Sequence, residues 1–302
     1  MKTLSSIGRK QNIFVWSCII PAFIIFVLFY IFPMINTFVG SLFNWNALSG
    51  LMKFNGITNY KNALADSLVW KSLLNTIYLT FFAVLIKTIL AFLVAVGVNS
   101  VAKGQSVYRA IYFLPTICTM IATAFIFRFL FQPEAGTING YLNMLGITGP
   151  DWLEGIKWAM PTVIIYTCWK DFGYVFLIFL AGIQGISSEI IEASVIDGAT
   201  GAAKLRYIVL PLLKPITTYN IVTQVIGSFQ IFTSIIALTN NATTSTSGGP
   251  MYSTTTTGLY IYQSAFVNFK FGYASSIAVI LFLAIMIFTY LQMKFSKQNW
   301  GY

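Results

Sequence analysis

Polar residues are sparse along most of this chain, and where they cluster they divide it into long apolar runs. Six runs approach the roughly 20 residues a helix needs to cross a bilayer core. They predict helices over 13–32, 73–98, 110–130, 158–183, 219–238 and 273–293. Lipid offers no partner to backbone N–H and C=O groups, so such segments must be helical. The first run, IFVWSCIIPAFIIFVLFYIF, carries no charge. Lys2, Arg9 and Lys10 precede it as in a signal peptide, but the run is too long and no A-x-A site closes it. A retained helix is expected. The second run holds Lys87, the third Arg128 near its end, and the fourth the adjacent Lys170 and Asp171. The fifth is uncharged yet rich in Asn, Gln, Ser and Thr. The fold class is therefore an all-α membrane protein with six transmembrane helices, read as a single domain over 1–302.

Composition sharpens this picture. Of 302 residues, 57% are hydrophobic and 9% charged, where a soluble domain carries roughly a quarter charged. An ordinary water-soluble enzyme is excluded. Histidine is absent, which removes the commonest general base and metal ligand. No cofactor or metal is expected on this chain. Cys18, Cys118 and Cys168 lie in apolar runs without a CxxC partner and read as small buried hydrophobes.

The formal charge of +10 forms no stripe, so no nucleic-acid partner is expected. The positive-inside rule accounts for it better. With the N-terminus inside, the N-tail, the 99–109 loop, the 184–215 loop and the C-tail hold ten basic residues. They are Lys2, Arg9, Lys10, Lys103, Arg109, Lys204, Arg206, Lys214, Lys294 and Lys297. The outer loops hold five: Lys53, Lys61, Lys71, Lys157 and Lys270. Both termini are predicted to be cytoplasmic. The outer stretch Asn240–Gly258 is Thr/Ser-rich around a Gly-Gly-Pro turn and is expected to be a mobile loop. The sequon at Asn241–Thr243 is read as chance.

The inner segment SSEIIEASVIDGATGAAKLRYIVLPLLKP is the most informative loop. Ser187 or Ser188 can cap a short helix with Glu189 and Glu192 in its first turn, where the helix dipole favours acids. Gly198 can end that helix in a left-handed turn. Pro211 and Pro215 fall where the chain re-enters the membrane. Ile190, Ile191, Val195 and Ile196 then stand outside the bilayer. Such a helix either lies flat on lipid or docks on a partner.

The order Glu192-Ala193-Ser194, three residues, Gly198, nine residues, Ile208, one residue and Leu210-Pro211 resembles the EAA signature of binding-protein-dependent ABC importers. Ser194 departs from it, standing for alanine. Asp197-Gly198-Ala199, Leu180-Ala181-Gly182-Ile183-Gln184, Gly248-Gly249-Pro250 and Tyr260-Ile261-Tyr262 resemble the carbohydrate, maltose-type branch. The likeness runs over nearly the whole chain. It implies an inner-membrane permease subunit, multi-pass in a bacterial-type cell membrane. The implied partners are a second homologous permease subunit, two ATP-binding subunits and an extracytoplasmic sugar-binding protein. It makes the segment from Glu189 through Glu192 to Ala199 a coupling helix on the ATPase. ATP and Mg would sit on that partner, and this chain has no G-x-x-x-x-G-K-[ST] phosphate loop.

Charged groups in lipid are costly and face protein or a water-filled cavity. Arg128, near a helix end, is expected to snorkel. Lys87, Lys170 and Asp171 fall near mid-membrane, where Asp171 can neutralise either lysine. Asn220, Thr223, Gln224, Gly227, Ser228, Gln230, Thr233 and Ser234 give the fifth helix neutral hydrogen-bonding groups. Opposite them stand Trp169, Phe172, Gly173, Tyr174 and Phe176 on the fourth. Neutral polar groups with aromatic faces suit a sugar, although the same polar groups also glue helices together. The resemblance places the substrate cavity here, near Thr116. The candidate pathway residues are therefore Thr116, Trp169, Lys170, Asp171, Gly173, Phe176, Asn220, Thr223, Gly227 and Gln230. Other solutes remain open, an acidic sugar among them, as does a self-sufficient secondary transporter. A proton-coupled carrier would need more buried carboxylates, and a membrane enzyme clustered His, Asp or Cys.

Overall fold

A computed structural model describes residues 2–46, 48–101, 103–239 and 248–295. The sequon, Lys297 and the first half of the Thr/Ser-rich loop lie outside the described residues. The chain begins with α1 (Lys2–Phe26), which passes through one π-helical turn (Val27–Ile31) into α2 (Phe32–Gly40). A hairpin of β1 (Phe43–Trp45) and β2 (Met52–Phe54) and a short α3 (Thr58–Ala65) follow. Then come α4 (Ser67–Asn99), α5 (Gln105–Ile117), α6 (Met120–Leu130), α7 (Thr137–Met144) and α8 (Ala159–Gln184). The inner segment forms α9 (Ser188–Ile196), α10 (Gly201–Lys204), a π turn (Leu205–Val209) and α11 (Leu210–Leu212). The chain continues as α12 (Lys214–Phe229), α13 (Thr233–Thr239), α14 (Thr257–Tyr262), a third π turn (Gln263–Val267) and α15 (Phe271–Phe295).

Among the described residues, four stretches are long and apolar enough to cross a membrane unbroken: Phe14–Gly40, Ser67–Asn99, Ala159–Gln184 and Phe271–Lys294. The other two predicted spans are not straight. Helix α5 meets α6 at 92°, and α12 meets α13 at 56°. The first break comes from Cys118 and Thr119, whose ψ angles of 149° and 136° are extended. Proline explains two of the wide turns. Pro33 and Pro211 each follow a π turn by two residues. A proline ring clashes with the carbonyl four residues earlier, and a widened turn makes room for it. All three cysteines are free, and Cys18 and Cys118 are exposed rather than buried. Helix α1 turns Cys18 outward and the break after α5 leaves Cys118 exposed, which an apolar run alone does not reveal.

The described chain forms two compact units. The first comprises residues 1–65 and 263–280. Its hairpin pairs Phe43 with Phe54 and Trp45 with Met52. Asn59 Nδ2 donates to the carbonyls of both Ser41 and Phe43 at 2.9 Å, pinning α3 to the hairpin. The start of α15 lies on β1, with Trp45 and Phe271 rings 5.2 Å apart. A side chain at Gly272 would run into the Phe43 carbonyl and come within 3.0 Å of the Trp45 nitrogen. Gly272→Val is therefore expected to destabilise the protein by about 3 kcal/mol, read as a lowered melting temperature in detergent. An unchanged melting temperature would refute this packing.

The second unit comprises residues 66–262 and 281–302. Its axis is the pairing of α4 with α8. Ala83, Ala91 and Ala95 are fully buried and let α8 come close, bringing Val163, Phe176 and Phe179 into the core. At one end Asp66 caps α4 by accepting from the Leu68 N–H at 2.8 Å and accepts from Tyr260 Oη at 2.6 Å. Lys71 Nζ donates to the Met251 carbonyl, and Asn75 to those of Tyr252 and Thr255. At the other end Arg109, Gln105 and Gln184 meet the end of α4. Loops predicted on opposite sides of the membrane thus gather at opposite ends of this unit.

Candidate functional site

Both helix breaks border one cavity. It measures about 230 Å³ and is lined by Met120, Tyr166, Thr167, Lys170, Asp171, Gly227, Gln230, Ile231, Phe232, Thr233 and Ser234. Met120 is the first residue of α6, just past the first break. The stretch from Gly227 to Ser234 carries the second. The remaining wall is one face of α8.

Broken backbone at membrane depth is tolerated where protein or a watery cavity satisfies it, and here α8 does so. Lys170 Nζ donates to the Thr116 carbonyl at 2.9 Å, one of the last carbonyls of α5. A cation at a helix C-terminus is favourable. Thr116 Oγ1 returns a bond to the Lys170 carbonyl at 3.1 Å. Tyr166 Oη donates to the Met120 carbonyl at 3.0 Å and lies 3.0 Å from Thr123 Oγ1. At the second break Thr256 Oγ1 donates to the Ile231 carbonyl at 2.7 Å.

Asp171 pairs with Lys87 at 3.5 Å; the lysine is 2% exposed and the aspartate side chain 47%. Removing one partner of such a pair leaves a buried charge uncompensated. Asp171→Asn is expected to cost about 2 kcal/mol, less than a fully buried pair because the cavity screens the carboxylate. Lys87→Met combined with Asp171→Asn is expected to regain most of that loss in a detergent melting experiment. A double variant no more stable than the single one would contradict this.

Of the predicted pathway residues, Lys170, Asp171, Gly227 and Gln230 line the cavity. Thr116 touches it only through Lys170. Trp169 lies 42% exposed against Phe127, with ring centroids 4.8 Å apart. Gly173 and Phe176 face α5: a Cβ at Gly173 would strike the Tyr112 carbonyl, and Phe176 packs on Tyr112 at 5.2 Å. Thr223 bonds back to the carbonyls of Tyr219 and Asn220 in its own helix. Asn220 is fully buried, and neither of its amide atoms has a partner among the described residues. Its neighbour one turn on, Gln224, donates to Thr88 Oγ1 of α4 at 3.3 Å.

Sequence reading missed Met120, Tyr166, Thr167, Ile231 and Phe232 as cavity residues. Depth separates the lining residues Tyr166 and Lys170 from Gly173 and Phe176. Tyr166, Lys170 and Gly173 share a face of α8, but α5 stops at Ile117, opposite Lys170. Past that level the face borders the cavity; before it, α5 covers the face.

The inner segment forms the expected short helix. Its end matches the predicted cap: Gly198 has φ +81°. The Gly198 N–H bonds to the Val195 carbonyl at 3.0 Å and the Ala199 N–H to that of Ser194 at 2.8 Å, the paired bonds of a left-handed helix stop. Its start differs. Ser187 stands at the N-cap position without a capping side-chain bond, and of the two acids only Glu189 lies in the first turn. Ser194 and Ile191 turn inward, while Ile190, Val195 and Ile196 are 44%, 51% and 86% exposed. Glu189, Glu192, Ala193, Asp197 and Gly198 are exposed beside them, and Ala199 is half-buried.

Comparison with known proteins agrees. Residues 87–300 match the family described as binding-protein-dependent transport system inner membrane component. The multiple sugar-binding transport system permease protein of Streptococcus mutans is 32% identical, over 94% of this chain and 95% of that one. The lactose transport system permease protein of Rhizobium radiobacter is 28% identical over 98% of each. In fold, the chain superposes on a chain of a bacterial ABC transporter that imports the acidic polysaccharide alginate. The TM-score is 0.82, at 20% identity, over 97% of this chain and 98% of that one. The chain belongs to the inner-membrane component family of binding-protein-dependent transport systems and is a permease subunit of an ABC importer.

Proposed function

We propose that this subunit forms half of the translocation pathway for a sugar or oligosaccharide and is driven by a separate ATPase that grips α9. The meeting of two broken helices with α8 around an aromatic-edged cavity, into whose largely apolar wall several polar side chains are set, carries the cargo reading. Discontinuous helices place unwound backbone and helix ends at a solute. Neutral donors and acceptors (Gln230, Thr167, Thr233, Ser234) beside Tyr166 and Phe232 suit hydroxyl groups and a pyranose face. The named cargoes of the two relatives, lactose and multiple sugars, support the same class.

In this reading the chain crosses the membrane six times, each bent pair counting once, with both termini cytoplasmic. A second homologous permease subunit completes the cavity, which at about 230 Å³ falls short of a typical small-molecule site. An extracytoplasmic sugar-binding protein delivers the cargo. Two ATP-binding subunits hold ATP and Mg, and Ile190, Val195, Ile196, Glu189, Glu192 and Asp197 meet them. ATP can drive import only by favouring one conformation over another. The test is reconstitution: the chain, its co-purifying subunits and the binding protein in proteoliposomes with labelled sugars. ATP-dependent sugar accumulation is expected. Accumulation driven by an ion gradient without ATP would refute the proposal.

A further inference from the structure

We infer that Arg109 is a positioning residue for coupling: with Gln105 and Gln184 it clamps the ends of α4, α5 and α8 into one body. Motion given to α9 then reaches the cavity along α5. The inference rests on the coupling role proposed above for α9.

Gln184 is the last residue of α8, and α9 begins four residues later. Arg109 Nη2 donates to Gln184 Oε1 at 2.9 Å. Gln184 Nε2 donates to Gln105 Oε1 at 3.2 Å, and Arg109 Nη2 reaches the same oxygen at 3.5 Å. Gln105 Nε2 donates in turn to the carbonyls of Asn99 and Val101 at 3.3 and 3.0 Å. These carbonyls lie where α4 ends, and a helix end leaves them without intrahelical partners. Three side chains therefore close a ring across three helix ends. Arg109 Nε is buried without a partner among the described residues. A merely solvated surface arginine would keep that donor in water.

From this ring α5 runs along α8 to the cavity and is held at two further levels. Tyr112 packs on Phe172 and Phe176 at 5.7 and 5.2 Å, beside the close approach at Gly173. Thr116 and Lys170 exchange hydrogen bonds at the far end. Two residues beyond Ile117 the chain turns by 92°, and Met120 enters the cavity wall. A helix fastened at both ends and followed by a sharp break moves as a lever, because the change in backbone angle is absorbed at the break.

The test uses the whole importer, purified with the subunits that accompany this chain and reconstituted with its binding protein. Sugar imported and ATP hydrolysed are measured together. Wild type comes first: if it shows no sugar-stimulated hydrolysis, the coupling role of α9 fails and the inference with it. If wild type is coupled, Arg109→Gln and Gln184→Ala are each expected to lower sugar imported per ATP roughly tenfold while hydrolysis continues. Arg109→Lys, which keeps one donor toward Gln184, is expected to recover at least about half of the wild-type ratio. A wild-type ratio in both loss variants overturns the inference. So does a parallel loss of hydrolysis and import, which marks a structural role only. Gln184 is exposed, so Gln184→Ala decides the matter if Arg109→Gln fails to reach the membrane.

Discussion

Gly198→Val is expected to stop sugar import, by at least about tenfold, while the protein still reaches the membrane in normal amount. Gly198 holds φ +81° at the end of α9, and nothing stands within 4 Å of where its Cβ would be. Within this chain the expected loss therefore comes from backbone conformation and not from a Cβ clash. A left-handed residue costs a side-chain-bearing amino acid about 1–2 kcal/mol, and a β-branched one suffers most. The two bonds that stop α9 would break, and Ile190, Val195 and Ile196 would lose their fixed presentation. Gly198→Asn is the control, since asparagine tolerates this conformation. It is expected to keep most of the import. Glu192→Ala, at an exposed position, is expected to impair import without touching stability. Uptake by Gly198→Val at the wild-type rate would remove the rigid helix stop from the mechanism.

The second large effect concerns folding. Gly173→Leu is expected to destabilise the protein by more than about 3 kcal/mol and to empty the membrane of it. Close helix packing in lipid depends on small residues where backbones meet. At Gly173 a Cβ would strike the Tyr112 carbonyl and lie 2.7 Å from Phe113 Cα and 2.8 Å from Thr116 Oγ1. Pushing α5 off α8 would also part Thr116 from Lys170. Gly227 is the contrast: it lines the cavity, and a Cβ there would meet no other atom within 4 Å. Gly227→Ala is expected to leave the melting temperature unchanged. Equal stability of the two variants, measured by thermal unfolding in detergent, would contradict the packing described here.

These two glycines mark what the sequence can and cannot reveal. Gly198 is legible because a helix stop is local: a short helical segment followed by Asp-Gly specifies it within a few residues. The four long apolar helices are legible for a similar reason, since lipid sets their length. The break at Cys118–Thr119 is not, because the run from 110 to 130 stays apolar through the bend. What allows the bend is Lys170, over 50 residues away, capping Thr116. Gly173 reads in sequence as a pathway residue, yet α5 covers it; only the level at which α5 ends decides this. Tyr166 and Met120 escape notice because each looks like an ordinary core residue. The pairing of Asp171 with Lys87, open in sequence between two lysines, follows from which helix lies beside α8. The shape of α9 is readable, but its inward and outward faces depend on the second core cluster that takes up Ile191.

The central claim is that α9 is the handle by which a separate ATPase moves this subunit. Its most direct test places a single cysteine at Ile196, the most exposed apolar position on α9 at 86%, after replacing Cys18, Cys118 and Cys168. In inside-out vesicles of the assembled importer, a short bifunctional thiol reagent is expected to join Ile196→Cys to an ATP-binding polypeptide. In intact cells an impermeant thiol reagent is expected to leave it unlabelled. Labelling from outside the cell, with no cross-link to an ATP-binding subunit, would contradict the account.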